Sequence, residues 1–334
     1  MEKKSLIEID YIRTIAILSI VVWHCFICPY YVWGVVEVES SNWPLIYYSY
    51  YLVSAFLFPG TVMPLFTFIS GYVFCYLIQQ GKYSDFKTFL LNKLNRLLIP
   101  FLVIGSLVSL TSYDRSIYDV LYGGGSHLWF CAMLFWCLIF TWLLIKVKVP
   151  QYILYIIVVL SGFFCYMGLD FKLPLGIHAS ILYVGYFIAG YLLYEKRYII
   201  DTLKDYMIWL VLFYLFVVVC MMIGEYLRIQ PLFSVASIIR NHIYSILLLS
   251  FFYKKQVRNQ IVYGRIRTFC KYGFGIYVFH EWIAWNFCHF PIVMDFMKQH
   301  FLIFPVLNTI WILFASYFLT SVSLKTRIGR YFLL

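Results

Sequence analysis

The chain is built of long apolar runs broken by short polar, mostly basic, interruptions, and no run alternates residue by residue as a half-buried strand would. Runs near residues 11–28, 61–79, 97–112, 127–145, 150–167, 176–194, 206–223, 234–252, 273–290 and 301–323 have the length and apolarity of bilayer-crossing helices. A porin-type barrel needs strands of alternating polarity, so helices do the spanning. Pro59, Gly60 and Pro64 cut the second run from the aromatic stretch 43–58, which is too short to cross alone and is expected at the outer interface. The first run follows Lys3 and Lys4 and lacks a small-residue cleavage site, which predicts a retained span rather than a signal peptide.

The positive charges orient these spans. With the N-terminus in the cytoplasm, the two tails and the loops near 80–96, 146–149, 195–205 and 253–272 hold 21 of the 26 Lys and Arg, leaving Arg115, Lys172, Arg228, Arg240 and Lys298 for the other side. The net charge of +11 is therefore topological and a weak argument for nucleic acid, although the same positives suit an anionic cofactor or anionic lipid. Only 12% of the 334 residues are charged, about half of the roughly 25% usual in globular domains, and mean hydropathy is +0.83, which excludes a soluble enzyme. The predicted fold is all-α: a polytopic integral membrane protein of about ten transmembrane helices with both termini cytoplasmic. Residues 1–334 are expected to form a single membrane domain with no soluble appended domain. Nine cysteines sit mostly in apolar runs, and the one Cys-x-x-Cys pair, Cys25 and Cys28, reads as two small apolar residues of one helix.

Ionisable groups inside a span are costly, so they mark candidate chemistry. Arg13 and His24 lie eleven residues apart in the first run, which on a helix is about three turns plus 20 degrees, or about 16 Å along one face. That face carries an anion-binding group near the cytoplasm and an imidazole deeper in the membrane; a snorkelling arginine with a packed histidine fits the same spacing. Lys93 and Arg96 precede the third run, where ordinary positive-inside flanking is the competing reading. Tyr277, His280 and Glu281 fall in the ninth run, and adjacent histidine and glutamate in a span are hard to explain as packing. Arg240 and His242, in the eighth, suit an ion pair or contact with an acceptor, while Trp129 opens the fourth as an interfacial anchor. Gly123, Gly124 and Gly125 lack the strand and the Lys-Ser/Thr of a phosphate loop. No histidine pair has metal-ligand spacing, so no metal site is expected, and no carboxylate pair is set for glycoside cleavage.

The segment IDYIRTIAILSIVVWHCF, with an arginine and a histidine separated by ten residues, resembles the opening signature of membrane acyltransferase family 3. The resemblance continues through VMPLFTFISGYVF, with its Ser70-Gly71, then KLNRLLIP, HLWFCAML, YFIAGYLL and GIYVFHEWI, in the family's order over nearly the whole chain. Two departures stand out: Lys93 replaces the first of two arginines and supplies a point charge without a bidentate fork, and Thr67 replaces an aromatic.

The resemblance implies transfer of an acyl group, commonly acetyl, from cytoplasmic acyl-CoA to a hydroxyl of a cell-surface polysaccharide or lipid-linked glycan at the bacterial inner membrane. A sugar hydroxyl is a poor nucleophile at neutral pH, and His24 is the expected base. Arg13, Lys93 and Arg96 suit the phosphates of CoA. Tyr277, His280 and Glu281 are expected at the reacting centre, and Ser70, Trp129, Arg240 and His242 on the acceptor side. Direct attack and a covalent acyl-histidine both remain open. A flippase or transporter of a glycan or lipid intermediate is the main alternative, since spans with buried polar groups also describe a translocation path; a non-enzymatic membrane sensor is the third.

Overall fold

A computed structural model describes residues 6–26, 35, 59–111, 117–122, 126–168, 173–255, 257 and 259–333. The aromatic stretch 43–58, Cys28 and the glycines at 123–125 lie outside the described residues. Within them the chain is helical: α1 (Ile7–Phe26), α2 (Pro59–Gln79), α3 (Phe86–Lys93), a π-turn at Leu94–Leu98, α4 (Ile99–Thr111), α5 (Ile117–Leu121), α6 (Trp129–Lys146), α7 (Gln151–Met167), α8 (Ile177–Glu195), α9 (Tyr198–Asp205), α10 (Met207–Tyr226), α11 (Gln230–Phe252), α12 (Gln260–Cys288), α13 (Pro291–Gln299), α14 (Phe304–Ser323) and α15 (Arg327–Leu333).

Eight segments among the described residues are long and apolar enough to cross a membrane, and they coincide with eight of the ten expected runs. The other two are α7, which at 17 residues is at the short end of spanning lengths, and α12. With 29 residues α12 is about 43 Å long at 1.5 Å per residue, more than the roughly 30 Å hydrocarbon core, so its basic first turns, with Arg265, Arg267 and Lys271, extend beyond the apolar part. The protein is a polytopic all-α membrane protein.

Two expected loops are largely helical. Residues 80–96 contain α3, because the Asp85 carboxylate accepts the Thr88 N–H at 2.7 Å and caps a helix that continues through the π-turn into the span. That hydrogen bonding also holds the Asp85 carboxyl below its usual range. Residues 253–272 contain the start of α12, where the Asn259 side chain accepts from Ile261 and Val262.

The chain forms two compact units. One comprises residues 1–12, 63–109 and 116–256, the other 13–62, 110–115 and 257–334. In the first, α2 and α8 touch backbone to backbone. A Cβ on Gly71 would lie 1.8 Å from the Phe187 carbonyl oxygen, and one on Gly190 would lie 1.9 Å from that of Phe68, so only glycine fits either position. In the second, α12 packs along α14, with Gly275 against Thr320. The outward face of α10, with Ile208, Trp209 and Phe216 each more than 60% exposed, is apolar as a bilayer requires.

Candidate active site

In the unit that begins at Arg13, α1 and α12 bring four groups into the buried interior. α1 runs unbroken through Arg13 and His24, with Glu8 and Asp10 in its first turn, where negative charge suits the helix dipole. On α12, Tyr277, His280 and Glu281 are spaced three and four apart, so one face carries all three. His24, Tyr277, His280 and Glu281 are all at least nine-tenths buried.

The hydrogen bonds fix where the protons are. His280 Nδ1 lies 2.7 Å from the Tyr277 carbonyl oxygen and 3.2 Å from that of Ile276. A carbonyl can only accept, so Nδ1 donates, and in the neutral ring Nε2 is left with a lone pair. That lone pair faces His24 Nδ1 at 3.2 Å, and His24 Nδ1 also lies 2.9 Å from the Ile20 carbonyl oxygen. His24 Nδ1 therefore donates to both acceptors. His24 Nε2 is consequently the proton-accepting atom, and it lies 3.4 Å from Glu281 Oε2. The two imidazoles meet edge to face, with centroids 4.8 Å apart. An imidazole with one nitrogen held as a donor and the other against a carboxylate can take up a proton and have the resulting charge neutralised in place.

Arg13 lies half-buried on α1 in the same unit, and the other expected residues lie in the first unit. Lys93 ends α3 with its ammonium donating to Tyr83 Oη at 3.1 Å, over the Tyr83 ring at 4.8 Å and near the Phe89 ring at 5.8 Å. Burial pushes the Tyr83 phenol above its usual range. Arg96, in the π-turn, is exposed. The Ser70 hydroxyl donates to the Phe66 carbonyl of its own helix at 2.7 Å, and it is Gly71 that carries the close packing of the Ser-Gly motif. Thr67 is fully buried and bonded to Met63 O, which makes its departure from the family's aromatic a packing change. Trp129 is half-buried against Tyr183, centroids 5.3 Å apart.

Arg240 is 3% exposed. Its guanidinium donates to Asn241 Oδ1 through Nε (3.3 Å) and Nη2 (3.0 Å) and to Met221 Sδ through Nη1 (3.1 Å). Asn241 in turn donates to Tyr186 Oη at 3.3 Å. His242 donates Nδ1–H to Ile238 O at 3.0 Å and lies against Tyr186 with centroids 4.4 Å apart, while its Nε2 is buried with no hydrogen-bond partner among the described residues. Among the described residues no group of three or more His, Cys, Asp or Glu is placed to hold a metal ion.

A family model described as an acyltransferase domain matches residues 6–324. The chain belongs to acyltransferase family 3. The protein is thus a multi-pass membrane acyltransferase, which requires an acyl donor and an acceptor. Comparison with curated proteins and with solved structures gives no match.

One residue of this acyltransferase's buried core is not marked by a search for ionisable groups. Asn308, on α14, is 1% exposed within a span. Its Nδ2 lies 3.5 Å from the Cys25 carbonyl oxygen and 4.0 Å from Cys288 Sγ, and its Oδ1 is buried without a hydrogen-bond partner among the described residues. An uncharged amide within an apolar run was the signal available, since it too is costly in hydrocarbon unless bonded.

Proposed function

We propose that the protein transfers an acyl group, with acetyl the expected one, from cytoplasmic acyl-CoA to a hydroxyl of a cell-surface polysaccharide or lipid-linked glycan at the bacterial inner membrane. The observation that carries the reading is the His24–Glu281 contact in a ring whose other nitrogen already donates. A glycan hydroxyl attacks the thioester carbonyl carbon while His24 Nε2 takes its proton. Glu281 then balances the charge of the imidazolium, and His280, accepting from Nδ1–H, keeps the ring oriented. As the tetrahedral intermediate collapses, the C–S bond breaks and the proton passes from His24 to the departing CoA sulfur, giving an ester and free CoA.

Tyr277 belongs to this centre through its backbone carbonyl, which fixes His280. Arg13 and Arg96 are assigned to the anionic donor, where multiple cations neutralise and hydrogen-bond phosphate. Lys93 adds positive charge there, its ammonium steadied on two aromatic rings. On the acceptor side, the unpartnered Nε2 of His242 can accept a hydrogen bond from a sugar hydroxyl, beside Arg240. Ser70 and Trp129 contribute packing and an apolar wall for the acceptor.

The test is release of free CoA by the detergent-solubilised protein given acetyl-CoA and the cell's glycan fraction, wild type beside His24→Ala. Release should require both glycan and His24, with turnover lowered about 10²- to 10⁴-fold in the variant and donor KM retained. Wild-type turnover by His24→Ala would remove the base, and no release from any common acyl-CoA would favour a flippase.

A further inference from the structure

His24 lies in the last described turn of α1. In a bilayer the polar groups of such a turn must be met from within the protein. Cys25 is the residue next to His24, and a polar residue of α14 meets it: Asn308 Nδ2 approaches its carbonyl oxygen at 3.5 Å. The same Nδ2 lies 4.0 Å from Cys288 Sγ, on α12 seven residues beyond Glu281. One amide thus touches both helices that supply the His24–Glu281 contact.

The Oδ1 of Asn308 sharpens the point. It is a buried acceptor with no hydrogen-bond partner among the described residues, which disfavours an amide at this position. Leucine would fill similar space without that disadvantage. An amide here is therefore accounted for by its N–H donors.

We propose that Asn308 is a positioning residue for the acyl transfer, holding the turn of α1 that carries His24, through Cys25, so that His24 stays against Glu281. The role rests on His24 as the base. It goes beyond that reading, since Asn308 lies on a later helix, α14, than the motif that carries His280 and Glu281 and touches no reacting atom.

The test compares wild type with Asn308→Leu and Asn308→Asp. The first removes both the donor and the unpartnered acceptor, and the second keeps the shape and the oxygen but loses the amide donor. Two quantities are measured: kcat against donor KM, and the rate at which N-ethylmaleimide labels Cys25, mapped by peptide mass spectrometry. Cys25 is fully buried, as are Cys131 and Cys137 of the other unit, which serve as internal controls. In both variants kcat should fall about 10- to 100-fold, as expected when a catalytic group is misplaced by a fraction of an ångström to an ångström, with donor KM unchanged. Cys25 labelling should rise about five- to tenfold, the effect of losing one hydrogen bond on a local opening, while Cys131 and Cys137 stay protected.

Unchanged Cys25 labelling in Asn308→Leu would overturn the proposal whatever happens to turnover. So would kcat within twofold of wild type, or labelling that rises equally at Cys131 and Cys137, which would mark general loosening. Should His24→Ala keep wild-type turnover, it is the assignment of the base that fails, and Cys25 labelling still decides whether Asn308 holds the turn.

Discussion

His24 in α1 and His242 in α11 are held by the same local device. Each ring donates Nδ1–H to the carbonyl four residues earlier, at 2.9 Å and 3.0 Å, which leaves Nε2 as the accepting nitrogen. They differ in what Nε2 meets. For His24 it is the carboxylate of Glu281, with His280 behind the ring; for His242 it is no hydrogen-bond partner among the described residues, with Arg240 and Asn241 beside it on the same helix. In the first cluster three side chains can each gain or lose a proton. In the second the dominant charge is a guanidinium, which does not release its proton and is chelated by the neutral Asn241 and Met221. The same histidine geometry is thus suited to proton transfer where a carboxylate faces it, and to hydrogen bonding beside a fixed charge where none does.

The sharpest way to break this comparison is Glu281→Gln. A glutamine at 281 has nearly the same shape, and its amide N–H can donate to His24 Nε2. That satisfies the ring but occupies the lone pair that must take the acceptor's proton. Stability should be preserved while kcat for CoA release falls about 10²-fold, within the usual range for general acid–base groups. Steady-state kinetics beside a thermal unfolding curve checks both halves. A variant of wild-type kcat would reduce the contact to packing.

Arg240→Lys should give the opposite pattern. Lysine lacks the planar fork that lets Arg240 donate twice to Asn241 and once to Met221, so a buried charge is left with fewer partners. The expected loss is about 1–3 kcal/mol of stability, the scale of a buried polar group left unsatisfied, read from a denaturant titration in detergent. The folded fraction should keep kcat within about threefold, since a fixed charge is not a proton carrier. A kcat loss as large as that of Glu281→Gln would place Arg240 in the chemistry and erase the distinction between the clusters.

The spans were legible in the sequence because they follow a simple rule, apolar runs of fixed length, and the candidate site residues were marked as ionisable groups that violate it. Helical spacing also put Tyr277 and His280 on one face. What spacing along one helix cannot give is the meeting of α1 with α12, because residues 24 and 280 are brought together by packing such as Gly275 against Thr320 and Gly273 against Ile17. Loop lengths were overestimated at 80–96 and 253–272, where basic residues look like loop by charge but Asp85 and Asn259 start helices before the apolar stretch begins. Ser70 looked like a binding residue by its place in a motif, yet its hydroxyl is bonded to Phe66 and the motif's demand is met by Gly71. Asn308 carries no charge and belongs to no motif, so only the structure marks it.

The smallest effect is expected at His242, and it tests what an unpartnered nitrogen is for. His242→Phe keeps a ring to stack on Tyr186, now 4.4 Å away, loses the bond to Ile238 O and removes the buried Nε2. The lost bond and the removed unsatisfied acceptor oppose each other, so stability should change by less than about 1 kcal/mol. If Nε2 accepts from a sugar hydroxyl, acceptor KM should rise about two- to tenfold, the equivalent of one hydrogen bond, with kcat and donor KM unmoved because nothing in the transition state alone is lost. Initial rates measured over a range of acceptor concentrations separate this from the Glu281 variant, which acts on kcat. An unchanged acceptor KM would mean that Nε2 serves no ligand, and the likeness between the two histidines would then end at Nδ1.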